Sequence, residues 1–575
     1  MAEPTPGPTP RAVPGLHRSS RSPEPASLLG RRGGRGTEPN LPHVDPDSGA
    51  RARASRLRPK GPPMSTRRGR HALAAIGLLV ATALAVTGCT AGASPKPTAS
   101  ASTAAARTDA TLRLGLAAAP ANLDFTSTGG AAIFQALLGN VYEGLLRLDQ
   151  DGKVVPLLAT GYTVSRDGLT YDFTLRDGVT FSNGSPFDAA AVKFSLERVT
   201  TWKANTPGNL AALDHVEVVS PTEAKVVLTK PDATVPFWLA GPLGAMFSPD
   251  AVDSLATKAV GTGPFTVASY QTGVKLVLTR SDAYWGAKAL VKQVDLDYFA
   301  DASAAANAMR SGGVDALYQA EAYDQLASFK ADPRFTVTAG SSQGVVVLSM
   351  NEANPALADV RVRQAISQAI DKRAVIAAAT GGVATELHGP AVPTDPYFVR
   401  SDEPYAYDPA AAKQLLADAG VTGLNLTFTV PNRPYAQAIS QVVQSDLAAV
   451  GITATLQTQE FPAVWVDKTL TQHQFDLTVV NHVEPRNVTN YANPGYYWSY
   501  ANPAVQKDFA EAKAATDEDS YVTHMTDAVQ AIIKDAAGVW LYNPPNVVVS
   551  TTAVHGMPTN DLGVGIGLAG VSVTG

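Results

Sequence analysis

Leu424-Asn425-Leu426-Thr427-Phe428-Thr429-Val430 alternates apolar and polar residues, the pattern of a half-buried strand. Ala436 to Val450 follows with helical apolar spacing and stops at Gly451, a C-cap residue. Thr453 to Gln457 alternates again. Strand, helix and strand in this order point to a parallel βαβ unit and so to an α/β fold.

The same mixture extends outward in both directions. Thr111 to Leu116, Tyr171 to Leu175 and Lys275 to Thr279 read as strands, and Val216 to Leu228 as a hairpin around Ser220-Pro221. Val345-Val346-Val347-Leu348 is solidly apolar and reads as a buried strand. Ile133 to Leu146 carries helical spacing, as do Asp359 to Ile370 and Pro409 to Ala419, which ends at Gly420. Asp188 is placed to cap a helix from Ala189 to Val199.

The N-terminal part has a different character. Residues 1–63 are rich in Pro, Arg and Gly without hydrophobic period, and read as a disordered extension or a start assigned too early. Met64 to Arg70 is basic, and His71 to Val86 is an apolar run of about 16 residues. That run is short for a membrane span, which needs about 20. It ends in Leu84-Ala85-Val86-Thr87-Gly88-Cys89, which holds the only cysteine. Residues 64–88 are similar to a bacterial lipoprotein signal, and Cys89 is the expected lipidation site. Residues 89–110, mostly Ala, Ser, Thr and Pro beyond the cysteine, read as a flexible tether. Arg67-Arg68 leaves the export route open between the general and twin-arginine systems.

Residues 1–88 hold 14 of the 46 basic and 5 of the 51 acidic residues, so the remainder carries a net charge of −14. An acidic body argues against nucleic acid as a partner. A single cysteine excludes an intrachain disulfide.

Several segments together resemble the family 5 extracellular solute-binding proteins of ABC transporters, with peptide- and nickel-binding members. The resemblance rests on Pro156 to Ala159, Gly168 to Phe181, Asn183 to Pro186, Gly261 to Phe265, Tyr284 to Gly286, Ser311 to Asp315, Asp359 to Lys372 and Tyr407 to Gly420, in the family's order. It implies a two-lobed, type II periplasmic-binding-protein-like fold, with an extra subdomain on the first lobe and the ligand between the lobes. Residues 111–150, 260–343 and 541–575 would form lobe I, 151–259 the extra subdomain, and 344–540 lobe II. It also implies a monomer held to the membrane through lipid on Cys89, carrying a solute to an ABC permease with its ATPase subunits.

In peptide-binding relatives a lobe II strand ends in a loop bearing Trp and Asp, and the aspartate pairs with the peptide α-amine. The corresponding stretch here is Phe475 to Val480, then Asn481-His482-Val483-Glu484-Pro485-Arg486-Asn487. His482 stands where the family often has tryptophan, and Glu484 is the carboxylate on offer. His482, Glu484 and Arg486 are ligand candidates; the alternative is an ion pair between Glu484 and Arg486. Tyr496, Tyr497 and Trp498 could line the cleft or pack the lobe. Asn122 after the first strand, and Asn351 at a crossover near the hinge, complete the candidates. Short peptides are the favoured ligand class; a nickel chelate, an oligosaccharide or another small solute stays open.

Catalytic readings are weaker. Gly340-Ser341-Ser342-Gln343-Gly344 matches Gly-x-Ser-x-Gly, but a strand rather than a helix follows it. No catalytic residue and no cofactor is assigned. The histidines lack the close spacing of a zinc site, so no metal site is assigned. A lipoprotein hydrolase and a solute-sensing lipoprotein remain as alternatives of other classes.

Overall fold

The computed structural model describes residues 107–400 and 403–575. The signal segment, Cys89 and the tether up to residue 106 lie outside the described residues. No helix among the described residues is long and apolar enough to cross a membrane.

One sheet has seven strands, in the order Phe335–Gly340, Asn546–Thr551, Ala316–Leu317, Thr111–Leu116, Gln293–Tyr298, Lys275–Arg280 and Phe265–Gln271. Its centre is parallel: Thr111–Leu116 pairs with both Gln293–Tyr298 and Ala316–Leu317. Leu112, Leu114 and Leu116 are buried, as the alternation requires.

The second sheet has six strands, in the order Thr385–Glu386, Val539–Asn543, Val345–Met350, Leu477–His482, Asn425–Pro431 and Thr453–Gln459. It contains the parallel unit read from the sequence. Asn425 lies opposite Thr453, and the connecting helix is Pro434–Ala449. All six residues of Val345–Met350 are buried. Val346, Leu348 and Met350 pack with Val362, Ile366, Ile439 and Val443. Val345 and Val347 enter a second cluster with Tyr491, Tyr497 and Trp498. A strand buried on both faces needs an unbroken apolar run, which explains the sequence pattern. Each such side chain contributes roughly 1.5–3 kcal/mol.

A four-stranded antiparallel sheet is formed by Ala159–Val164, Thr170–Leu175, Glu223–Leu228 and Leu213–Ser220. Beside it the helix Ala189–Glu197 is capped by Asp188, whose Oδ1 accepts from the N–H groups of Ala190 and Ala191 at 3.0 Å each.

The chain passes between the two large sheets twice, through residues 341–344 and through Pro544-Pro545. Asn543 ties the passages together: its Nδ2 donates to the carbonyls of Ser342 (2.8 Å) and Gly344 (2.7 Å). The expected division at 540/541 falls inside the strand Val539–Asn543, so the chain leaves the six-stranded sheet only after Asn543.

The helix expected over Ile133 to Leu146 is shorter. It spans Ala131–Leu137, and Leu146–Leu148 is a strand. The cause is Asn140. Its buried Nδ2 donates to the carbonyls of Ala136 (3.0 Å) and Ile566 (2.7 Å), and its Oδ1 accepts from Leu568 N–H at 3.1 Å. Gly139, at φ +76°, makes the turn. The remaining apolar residues are buried in the core that includes Ile566 and Leu568 from the C-terminal segment.

Candidate functional site

The strand Leu477–His482 runs antiparallel to Val345–Met350, with His482 opposite Val345 and Leu477 opposite Met350. His482 therefore stands at the end of the sheet where the chain passes to the other lobe. Asn351 stands at the opposite end, one residue past Met350. At about 3.3 Å per residue, six steps put them roughly 20 Å apart along the strand. Asn351 follows the strand and does not lie at the crossing, which corrects its expected place near the hinge. Its side chain is also fully engaged. Nδ2 donates to the carbonyls of His473 (3.2 Å) and Phe475 (3.1 Å), and Oδ1 accepts from Ala353 N–H at 3.1 Å.

His482 is buried among rings. Its Nε2 lies 2.9 Å from the Tyr497 hydroxyl, which is 2.6 Å from Ser349 Oγ. The Trp498 ring stands edge-on to the imidazole at 5.7 Å, and Tyr491 stacks on Trp498 at 4.1 Å. Tyr497 and Trp498 are wholly buried and belong to the core of the six-stranded lobe. They form the wall behind His482. Tyr496 is only partly buried and leans on the Trp498 ring at 4.5 Å.

Glu484 is the group this wall presents to solvent. Its side chain is 64% exposed, and its carboxylate lies 3.6 Å from His482 Nδ1. The imidazole holds the Glu484 carboxyl below its ordinary range, so it is ionised near neutral pH. The neighbouring Val483 is 64% exposed, so the loop tip projects from the sheet.

Arg486 turns the other way. It is buried in the left-handed region (φ +56°), with its guanidinium 3.7 Å from the centre of the Phe237 ring. Its Nη1 donates to the Tyr521 hydroxyl at 3.0 Å. The alternative ion pair between Glu484 and Arg486 is not formed. Arg486 instead joins the six-stranded lobe to the four-stranded subdomain, helped by Lys513 and Asp232 at 3.1 Å. Asn122 is bound within its own loop, donating to Thr128 Oγ1 and accepting from Asp124 N–H, both at 2.8 Å.

Residues missed in the sequence face this loop from the other lobe. Gly563 packs so closely that a methyl group on it would sit 3.2 Å from Pro485 Cγ and 3.4 Å from Gln343 Cγ. Asp561 accepts from Gly563 N–H at 3.2 Å and from Gln319 Nε2. Gln319 Oε1 accepts from Gln135 Nε2 at 2.9 Å. These residues are 184 and 242 positions apart in the chain, and no local pattern marks them. A cavity of about 770 Å³ lies between residues 138–151 and 556–570. Its buried carboxylate, Glu143, is already held by Tyr284, Trp285 and Thr262 at 2.7–2.9 Å.

Ser342 lies in the first crossing, not on an elbow. Its hydroxyl donates to the Pro544 carbonyl at 2.8 Å, and the strand Val345–Met350 follows. Two groups of potential metal ligands come together where sequence spacing showed none: Glu386, His388 and Glu403, and Asp508, Glu511 and His524. A lysine already occupies each: Lys372 lies 2.7 Å from Glu403, and Lys507 lies 2.9 Å from Glu511.

Residues 153–505 match the model of the bacterial extracellular solute-binding proteins, family 5 Middle, and the chain belongs to this family. It is 33% identical over 335 residues to the glutathione-binding protein GsiB of Salmonella paratyphi A, a match covering 56% of this chain. GsiB of Escherichia coli O157:H7 is 32% identical over 333 residues. The chain spans 64% of the length of these curated relatives. Among solved structures it resembles the DppA periplasmic binding protein of Helicobacter pylori in complex with peptide STSA. That match has a TM-score of 0.66 and 24% identity, covering 82% of this chain and 99% of the other. NikA of Brucella suis in complex with Fe(III)-EDTA matches with a TM-score of 0.70 and 24% identity, covering 80% and 100%. The fold is thus the two-lobed type II periplasmic-binding-protein fold, with the four-stranded sheet as its extra subdomain.

Proposed function

We propose that this protein is the lipid-anchored receptor of an ABC importer, and that it captures short peptides between its lobes for delivery to a permease. The observation that carries the ligand class is Glu484. An ionised, exposed carboxylate at a sheet end, with one imidazole partner, is a ready counter-ion for a peptide α-amine. Ligands of open α/β sheets bind at such strand ends. His482 orients Glu484, and Tyr496 offers a partly open ring beside it. Tyr497, Trp498 and Asn351 support the lobe, Arg486 fixes the extra subdomain, and Asn122 shapes its own loop. A relative that binds glutathione, itself a tripeptide, and a structural neighbour holding the peptide STSA support this reading. A nickel chelate is less well served, because both ring nitrogens of His482 already face partners.

Native mass spectrometry on the full chain, purified gently from a bacterial host, tests the ligand class. A co-purified short peptide that leaves on denaturation is the expected result. A protein that stays empty after addition of a tripeptide mixture contradicts it. The anchor is tested separately by cell fractionation. Cys89→Ser should release the protein from the membrane; unchanged fractionation would exclude the lipid.

A further inference from the structure

Asp561 is a carboxylate without a counter-ion among the described residues. The Gly563 N–H and the Gln319 amide donate to it and Tyr318 lies nearby, with no lysine, arginine or histidine acting on it among the described residues. Withdrawal from water pushes its carboxyl up from the ordinary range, as expected of an anion held only by neutral donors. Arg486, the cation of the facing loop, is committed to Phe237 and Tyr521.

Its position matters as much as its chemistry. The Asp561 N–H donates to the Ser341 carbonyl at 2.9 Å, which fixes it beside the first crossing between lobes. It lies two residues from Gly563, which abuts Pro485, and Pro485 follows Glu484. Gly563 and Pro485 thus meet across the two lobes, with Asp561 two residues from the one and Glu484 one residue from the other. Glu484 belongs to the six-stranded lobe. Asp561 hangs from the seven-stranded one through Ser341 and Gln319. A ligand bearing two cations would be held by both walls.

We propose that Asp561 is a specificity-determining residue that receives a basic side chain of the bound peptide, so that the receptor favours peptides containing lysine or arginine. This rests on the peptide reading above. A charge-assisted contact to a carboxylate that lacks any other cation is among the stronger polar contacts available. Gln319, donating to the same carboxylate and braced by Gln135, positions it.

The test is calorimetry on the full chain with three tripeptides, each carrying one lysine among alanines, at the first, second or third position. Each is compared with the analogue carrying norleucine, which keeps the length and lacks the amine. The wild-type protein should bind one lysine peptide at least tenfold more tightly than its norleucine partner. Asp561→Asn should abolish that preference, with folding checked by thermal melting. Equal binding of every pair by the wild-type protein overturns the proposal and needs no variant. A preference that persists in Asp561→Asn also overturns it. Binding of norleucine peptides without lysine preference sinks this inference alone, whereas binding of none of the six peptides sinks the peptide reading itself.

Discussion

The helix Val360–Ala369 and the loop Asn481–Asn487 are both dense in polar residues, yet the fold treats them oppositely. In the helix, Arg363 is buried and donates to the carbonyls of Leu357, Ala358, Asp535 and Ala536 at 2.7–3.3 Å, with Glu352 at 3.2 Å. Arg361 is clamped by Asp359 and the Asp418 carbonyl. In the loop, Glu484 keeps one partner and stays in solvent. A polar residue is available to ligand when the fold leaves its bonding capacity free, and residue type alone does not reveal that.

The largest effect should come from the helix. Arg363→Ala leaves several buried carbonyls and Glu352 without a partner. It should cost about 3–5 kcal/mol in denaturant unfolding, the range for breaking a buried ion pair. A loss below about 1 kcal/mol would erase the contrast.

Glu352 provides the next test. Burial pushes it up to about 7 despite Arg363. Between pH 4.5 and 7 the folded chain retains a proton that the unfolded chain releases, so stability falls as pH rises through that window. The swing is up to about 3 kcal/mol. Glu352→Gln should flatten that part of the profile; an unchanged slope would reassign the titration.

Glu484→Ala should behave in the opposite way to Arg363→Ala. Stability should stay within about 0.5 kcal/mol, as for surface substitutions. Peptide affinity should fall by about 1.5–3 kcal/mol, the worth of a hydrogen bond to a charged group. The smallest effect is expected for His482→Phe. Without the imidazole, the Glu484 carboxyl returns toward its ordinary range, so affinity should weaken several-fold near pH 4 and hardly at all at pH 7. A deficit of equal size at both pH values would mean that His482 acts otherwise.

These contrasts also explain what the sequence disclosed. Val345 to Leu348 was legible because burial on both faces writes itself as an apolar run. The unit from Leu424 to Gln457 was legible because its periods change from two to 3.6 and back. The helix expected over Ile133 to Leu146 ends at Leu137, ahead of Asn140, whose partners Ile566 and Leu568 lie over 400 residues away. The same reason hid half of the candidate site. His482 and Glu484 stand on a recognisable strand end. Asp561, Gln319 and Gln135 meet only through tertiary packing. The aromatic cluster from Tyr496 to Trp498 could be read as pocket or core, and the fold buries Tyr497 and Trp498 behind His482.

Peptide capture as proposed depends on the exposed, ionised Glu484 receiving the peptide α-amine. Calorimetry with one tripeptide, free or N-acetylated, tests it most directly on the full chain. The free peptide should bind, acetylation should weaken it at least tenfold, and that difference should be gone in Glu484→Ala. Equal affinity for the free and acetylated peptides would contradict it.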